Sequence, residues 1–406
     1  MTCDIAFLVY IINFGFYYLP FFHISTNFKQ NKGEQAMFKA KLAHTVLVMA
    51  MLGWSGLSLG EGQVPSQLSG WGIKIVSEHP SDPHSRPQGG SHSHVIRDDL
   101  SSNASLQNAT YISLGYAERA VLKQLSDRRD FASQGAESSL GLTPWVAPYY
   151  YHTRRNDMGE DGSVVKNDAG GSSFGLDWAF GDLLVGGAFD KGYSKTKYTH
   201  DSLEFKDEGD FYSFMGYADW ERDRLRIYGA LGFAYDSHDM KYKEGGRLFD
   251  KDDADSYAIS SALICEYKLI DQAVYVKPYA GIRHAYINSD SYKIGNVHYN
   301  PDHQNIYRFP IGLKVGHDFN FSGLLVRPLF NIGMEPVRGN TKSKTSVRSV
   351  GTKETSKAKM CDDFYWNASA GVTCNFYGIS CTLAYEFQGS GHDNEHGVSF
   401  SYNWRF

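Results

Sequence analysis

The sequence lacks three things that would place it among common soluble or helical membrane proteins. It has no series of apolar runs of about twenty residues, which excludes a bundle of membrane helices. Its five cysteines are too few for a disulfide framework and show no C-x-x-C spacing, which removes thioredoxin-like and zinc-ribbon readings. No dense Lys/Arg block occurs, and a net charge of −5 is small for 406 residues, so nucleic acid is not expected as a partner. No internal repeat of the β-solenoid kind is present either.

Aromatic side chains and glycine are plentiful instead, with 27 Tyr, 25 Phe and 41 Gly. The mean hydropathy is nevertheless −0.39. A chain rich in apolar rings but not hydrophobic overall fits strands that carry apolar residues on one side only.

From Met37 the chain reads MFKAKLAHTVLVMAMLGWSGLSLG, with two lysines, an apolar run over 42–52 and small residues at Ser58 and Gly60. This pattern predicts a secretory signal over 37–60, cleaved after Gly60. Residues 1–36, with an apolar stretch over 5–22, are read as a start assigned too early or an extended signal. Residues 61–113 are rich in Ser, Gly, His, Pro and Gln without a sustained period, and predict a short disordered passenger or linker. Glu78, His79, Asp82, His84, His92 and His94 could collect a metal there. The stretch is broken by Pro and Gly and cannot preorganise a tetrahedral site, so it is read as solvated linker and no cofactor or metal is assigned.

Over 114–130 the period becomes helical, with Ala117, Val121, Leu122 and Leu125 recurring on one side. The other side carries Glu118, Arg119, Lys123, Asp127, Arg128 and Arg129, which suits a polar lumen; a position on the periplasmic rim is the alternative. From Thr143 the period is two. In 362–376, Phe364, Trp366, Ala368, Ala370, Val372, Cys374 and Phe376 alternate with polar or small residues. The same holds for Ile379, Cys381, Leu383, Tyr385 and Phe387, and for Val398, Phe400, Tyr402, Trp404 and Phe406. These segments reach the roughly nine to eleven residues of a tilted membrane strand, longer than the usual five or six of a sandwich.

Twelve such segments over 143–406 predict an all-β fold: a closed antiparallel 12-stranded transmembrane β-barrel, preceded by one α-helix in or near the lumen. Tight turns near 180–182, 221–223, 269–271, 320–322 and 377–378 alternate with long polar loops near 154–170, 193–208, 237–254, 288–303 and 335–361. That arrangement puts both termini in the periplasm and the long loops outside. Lys277, Arg283, Arg308, Lys314, Arg327, Asp318, Glu266 and Glu386 are expected to line the lumen. Their mixed signs favour mutual pairing around the helix over a selective channel. His284 and His317 are expected at the membrane interface. A two-residue turn at 377–378 sets Cys374 opposite Cys381, where a cross-strand disulfide or two free thiols are both compatible with the sequence. Lys342, Lys344, Lys353, Lys357 and Lys359 in the longest loop are candidates for contact with lipopolysaccharide.

Over 114–406 the chain resembles the autotransporter β-domain family. The resemblance rests on a helix leading into the strands, the opening Thr143-Pro144-Trp145-Val146, the twelve-strand count and the closing Val398-x-Phe400-x-Tyr402-x-Trp404-x-Phe406. It implies a bacterial outer-membrane anchor that translocates or displays its own N-terminal segment, exported through the Sec translocon. Phe400, Tyr402, Trp404 and Phe406 would then be the signal for the barrel-assembly machinery. The resemblance also implies a monomer among outer-membrane lipid and lipopolysaccharide, with no enzymatic activity. Two departures stand out: no long solenoid passenger precedes the helix, and the helix lacks the Asn-Asn pair at which some members cleave themselves. The alternatives are a stand-alone barrel acting as adhesin or passive pore, and a barrel enzyme such as an outer-membrane protease or lipase. No nucleophile, base and orienting group are identified together, and no residue is given a catalytic role.

Overall fold

The computed structural model describes residues 102–132, 142–156, 164–200, 203–271, 274–321, 324–349, 352–376 and 379–404. The signal segment, the metal-capable residues of the linker and Phe406 lie outside these.

Helix α1 spans Ser102–Ala132. Six long strands follow: β1 Leu142–Asn156, β2 Val164–Phe180, β3 Leu183–His200, β4 Leu203–Arg222, β5 Leu225–Glu244 and β6 Arg247–Tyr267. Next come β7 Ile270–Asp271, β8 Val274–Ser289, β9 Tyr292–Ile294 and β10 Val297–Pro301. The chain continues through β11 Gln304–Arg308, β12 Ile311–His317, β13 Phe319–Phe321 and β14 Leu324–Gly339. The last elements are β15 Lys342–Ser349, β16 Thr352–Lys359, β17 Phe364–Phe376, β18 Ile379–Gly389 and β19 Asp393–Trp404.

Twelve antiparallel staves make the barrel, β6 with β7 counting as one, both pairing with β8, and β11 to β13 as another. The latter stave breaks at Phe309-Pro310, because Pro310 has no N–H to give the ladder. Antiparallel pairing of β1 with β19, from Trp145 opposite Asn403 to Arg155 opposite Asp393, closes the wall. Closure is forced by the surroundings, since an open edge in hydrocarbon would leave backbone groups unpaired at several kcal/mol each.

The wall is inverted relative to a soluble protein. Leu231, Phe233, Ile259, Leu263, Phe330, Ile332, Trp366 and Leu383 are exposed on its outer side, whereas Asp177, Asp219, Arg226, Asp236 and Glu266 are buried on its inner side. Soluble monomers rarely expose contiguous apolar patches beyond a few hundred Å². Exposed rings mark both borders of the apolar band: Trp178, Phe180, Trp220, Phe319, Phe321 and Trp404 near the tight turns, and Tyr150, Tyr193, Tyr235, Tyr257 and Tyr385 toward the other end. Such girdles are expected where a barrel meets the two lipid interfaces.

Two expectations are corrected. The polar stretches 193–208 and 237–254 are not loops; β3 to β6 run on through them as hairpins, so that β4 and β5 each reach 20 residues. The apolar period stops there but pairing continues, held by cross-strand ion pairs such as Lys197–Glu204 at 2.7 Å and Lys195–Glu208 at 3.0 Å. Gly245 and Gly246, both at positive φ, turn the β5–β6 hairpin as only glycine does without strain. The stretches 288–303 and 335–361 form a separate four-stranded sheet, β16-β15-β10-β9, instead of open loops.

The helix also begins twelve residues before the expected position. Its first turns carry no one-sided apolar stripe because they are enclosed all round: Gln107, Asn108, Thr110 and Ser113 are buried as well as Leu106, Ala109 and Ile112. With 31 residues α1 is about 46 Å long, more than the hydrocarbon thickness of about 30 Å.

Candidate functional site: a helix-filled lumen

Helix α1 lies inside the barrel, in contact with β1 to β6 and β8 and, at its start, with β15 and β16. The rim position is thereby set aside. Its C-terminal turns sit toward the tight turns and its N-terminal turns among the hairpins of the opposite end.

At the tight-turn end Arg226, fully buried, chelates Asp219 with Nε to Oδ1 at 3.0 Å and Nη2 to Oδ2 at 2.8 Å. The same guanidinium donates to the Leu125 carbonyl at 2.5 Å and lies 3.5 Å from Glu266. Lys314 donates to Ser126 Oγ at 3.0 Å and pairs with Glu266. Arg128 approaches Asp177 at 3.3 Å, and the Trp145 indole N–H donates to that carboxylate at 3.1 Å. Lys123 donates to Ser399 Oγ at 2.7 Å and lies 3.7 Å from Glu386.

At mid-height Glu118 pairs with Arg283, which continues to Glu335 at 3.1 Å, and Glu335 in turn meets Arg308 at 3.3 Å. Across the helix the Tyr116 ring stacks on Tyr151 with centroids 3.9 Å apart. Arg119 sits 4.9 Å from both rings and pairs with Glu395 at 2.5 Å. Glu118, Arg119, Lys123 and Arg128 therefore each meet an opposite charge from the wall, which is the arrangement that makes buried ions tolerable. A void of about 20 Å³ between helix and wall, beside Leu114, Glu118 and Arg283, has room for about one water.

The upper seat differs in kind. Leu106 is fully buried among Tyr198, Phe205, Met240, Tyr299 and Val347. Gln107 donates to the Asp302 carbonyl at 2.8 Å and Asn108 to that of Met360 at 2.7 Å. Thr110 Oγ1 donates to Asp236 at 3.2 Å and lies 3.0 Å from His238 Nε2, whose Nδ1 faces Asp207 at 3.0 Å. His238 stands three residues beyond Tyr235, the last exposed ring on β5, and so outside the apolar band. Burial alone would lower its pKa, but the Asp207 and Asp236 carboxylates outweigh burial and raise it from 6.5 to about 9.

Of the residues expected in the lumen, Arg283, Arg308, Lys314 and Glu386 meet the helix, Arg308 through the Tyr111 hydroxyl, and Glu266 is joined to it through Lys314 and Arg226. Arg327 pairs with Asp318 and, like Lys277, lies over the Tyr275 ring. The sequence reading did not name Arg226, Asp219, Asp177, Tyr116, Tyr151 or the Asp207–Asp236–His238 cluster. For Asp177, Asp219 and Arg226 the available signal was a charge at an inward position of a two-period strand. His284 stacks on Tyr307 with centroids 4.6 Å apart, and the His317 ring lies tilted against Phe319 at 4.2 Å. Phe400 and Trp404 are exposed on the outer side of β19, and Tyr402 is half-buried. Cys374 does face Cys381, with Phe376 opposite Ile379, and both thiols are free.

Two arrangements resemble hydrolase machinery without its geometry. Gly171-Ser172-Ser173-Phe174-Gly175 matches G-x-S-x-G, but it runs through the middle of β2 and not a strand-to-helix turn, and Ser173 donates to Asp190. Beyond the band, Asp362 accepts from Ser390 and lies 3.1 Å from His392 Nδ1. Burial would raise the Asp362 carboxyl, but Lys359 and Ser390 hold it down at about 2. The acid therefore stands between serine and histidine, whereas a triad needs the histidine in the middle.

A closed, apolar-belted barrel of twelve strands threaded by one helix is an outer-membrane translocator architecture. The autotransporter beta-domain family matches residues 144–386, and the chain belongs to that family, which implies an outer-membrane location. Among curated proteins no sequence matches. The fold is similar to the translocator domain of autotransporter NalP from Neisseria meningitidis, at 12% identity and a TM-score of 0.52, covering 77% of this chain and 100% of that one. It is also similar to the beta domain of the Bordetella autotransporter BrkA, at 15% identity and a TM-score of 0.50, covering 66% and 100%. The transport unit of AIDA-I from Escherichia coli aligns at 9% identity and a TM-score of 0.50, covering 76% and 98%.

Proposed function

We propose that this chain anchors in the outer membrane and displays its own N-terminal segment at the cell surface, with α1 retained in the lumen. The observation that carries this reading is the direction of α1: its N-terminal turns, beginning at Ser102, lie among the long hairpins. In this reading the tight turns are periplasmic and the long hairpins extracellular. The Sec translocon takes residues 37–60, and the barrel-assembly machinery takes the last strand with Phe400, Tyr402, Trp404 and Phe406. The protein acts as a monomer without cofactor or catalytic activity. The paired charges around α1 favour a held plug over a passive pore.

The test is an epitope inserted after Gly90 together with a second one in the 350–351 hairpin, probed on intact cells. Both epitopes are expected to bind antibody and to be lost to added protease. A reachable hairpin with a protected residue-90 epitope would overturn display of the N-terminal segment.

A further inference from the structure

The four-stranded sheet has one face buried toward α1, where Ser343 Oγ donates to Gln107 at 2.5 Å and Val347 and Tyr299 pack with Leu106. The opposite face is a ladder of cations. Strand register sets Lys344 opposite Lys357, Arg348 opposite Lys353 and Lys342 opposite Lys359. The Arg348 rung extends through His298 on β10 to Lys293 on β9. Lys359 pairs with Asp362; among the described residues Lys342, Lys344, Arg348, Lys353 and Lys357 form no ion pair.

Like charges directly opposite on a sheet destabilise it. Among the described residues Asp362 relieves the Lys359 rung, but no carboxylate pairs with the Lys344–Lys357 or Arg348–Lys353 rung, in contrast to the β3–β4 hairpin, where Lys195 and Lys197 each meet a glutamate. A fixed polyanion would supply the missing counter-charge.

Position identifies the polyanion. The outward residues of β14, Phe330, Ile332 and Met334, are even-numbered and exposed. The same parity resumes in β15 at Lys342, Lys344 and Arg348, while Ser343, Thr345 and Val347 turn inward. Since Val347, Tyr299 and Ser343 on the buried face pack against α1, the cationic face points away from the helix, as Phe330, Ile332 and Met334 do on β14. Its cations are mostly lysines, point charges suited to phosphate, and its tyrosines, Tyr292 and Tyr299, are buried on the other side, leaving no platform for stacked bases.

We propose that this face binds the phosphorylated saccharide of lipopolysaccharide in the chain's own leaflet. The proposal rests on the orientation given above, with the long hairpins outside.

The test titrates the detergent-solubilised full chain with purified lipopolysaccharide. The variants are a K344S/K353S/K357S triple and a K195S/K197S control with cations removed from the opposite hairpin. Native protein and control are expected to bind within about twofold of each other, and the triple at least about tenfold more weakly, with a shallower salt dependence. Dephosphorylated lipopolysaccharide should bind native protein as weakly as the intact form binds the triple. Equal binding by the triple, or indifference to phosphate, overturns the proposal. So does tight binding of a soluble sulfated polysaccharide or of single-stranded DNA with none of lipopolysaccharide. The 350–351 epitope on intact cells separates the two readings: a hairpin that cannot be reached refutes the orientation, whereas a reachable hairpin with phosphate-independent binding refutes only this site.

Discussion

The two halves of the lumen helix are held by different chemistry. From mid-height down, Glu118, Arg119, Lys123 and Arg128 meet charges fixed on the barrel wall, whereas above it Gln107, Asn108 and Thr110 meet backbone carbonyls and a histidine cluster. The lower seat exists as soon as the barrel closes. The upper seat also requires β9, β10, β15 and β16 to pack against the first turns of the helix. A helix that must settle into a preformed wall gains from long-range charge below and from short-range fit above.

The largest expected break in this contrast is Arg226→Ala. It takes the chelating guanidinium from buried Asp219, while Glu266 keeps Lys314 and the Tyr228 hydroxyl, and removal of one partner from such a group costs about 3–5 kcal/mol. Hydrogen exchange should accelerate over 121–128 and leave 106–111 protected; equal acceleration along the whole helix would refute independent seats. Leu106→Ala is expected to cost about 2–5 kcal/mol, toward the lower figure because hairpins can collapse onto the gap, with faster exchange confined to the upper turns. Tyr116→Phe removes a hydroxyl that bonds Thr153 at 2.8 Å and Glu395 at 3.3 Å, worth about 1–3 kcal/mol. It should loosen the middle alone, and wild-type exchange at 113–119 would count against that bond.

The smallest effect is the response to pH. The folded pKa of His238, about 9, lies above its ordinary 6.5, so its contribution is fully present below 6.5 and disappears as pH rises through about 9. Upper-turn protection should fall across that window in native protein and stay flat in H238Q, with the lower turns unchanged in both. A native helix top indifferent to alkali would remove the histidine from the seat.

Much of the wall was legible because one physical rule, alternation against lipid, governs it. The placement of Phe376 opposite Ile379 and of Cys374 opposite Cys381 followed from a period of two and a two-residue turn. Where lipid ends the rule ends. Lys195, Lys197, Glu204 and Glu208 read as loop although they pair as strand, because beyond the lipid the outer face meets water while the inner face buries polar Ser194, Thr196 and Asp207, so neither face is uniformly apolar. The first turns of α1 were missed for a different reason: they are enclosed on all sides, Leu106 by apolar neighbours and Gln107, Asn108 and Thr110 by polar ones, so no one-sided apolar stripe was selected. Charge type on the inner face was visible, but partners such as Arg226 with Leu125, 101 positions apart, are set by the curvature of the closed sheet.

Strands β4, β5 and β6 carry 20, 20 and 21 residues, about twice what a tilted strand needs to cross the bilayer. This side of the wall is a chimney taller than the membrane is thick. A polypeptide moving past it would stay sheltered for many residues after leaving the lipid, out of reach of neighbouring chains until it clears the mouth.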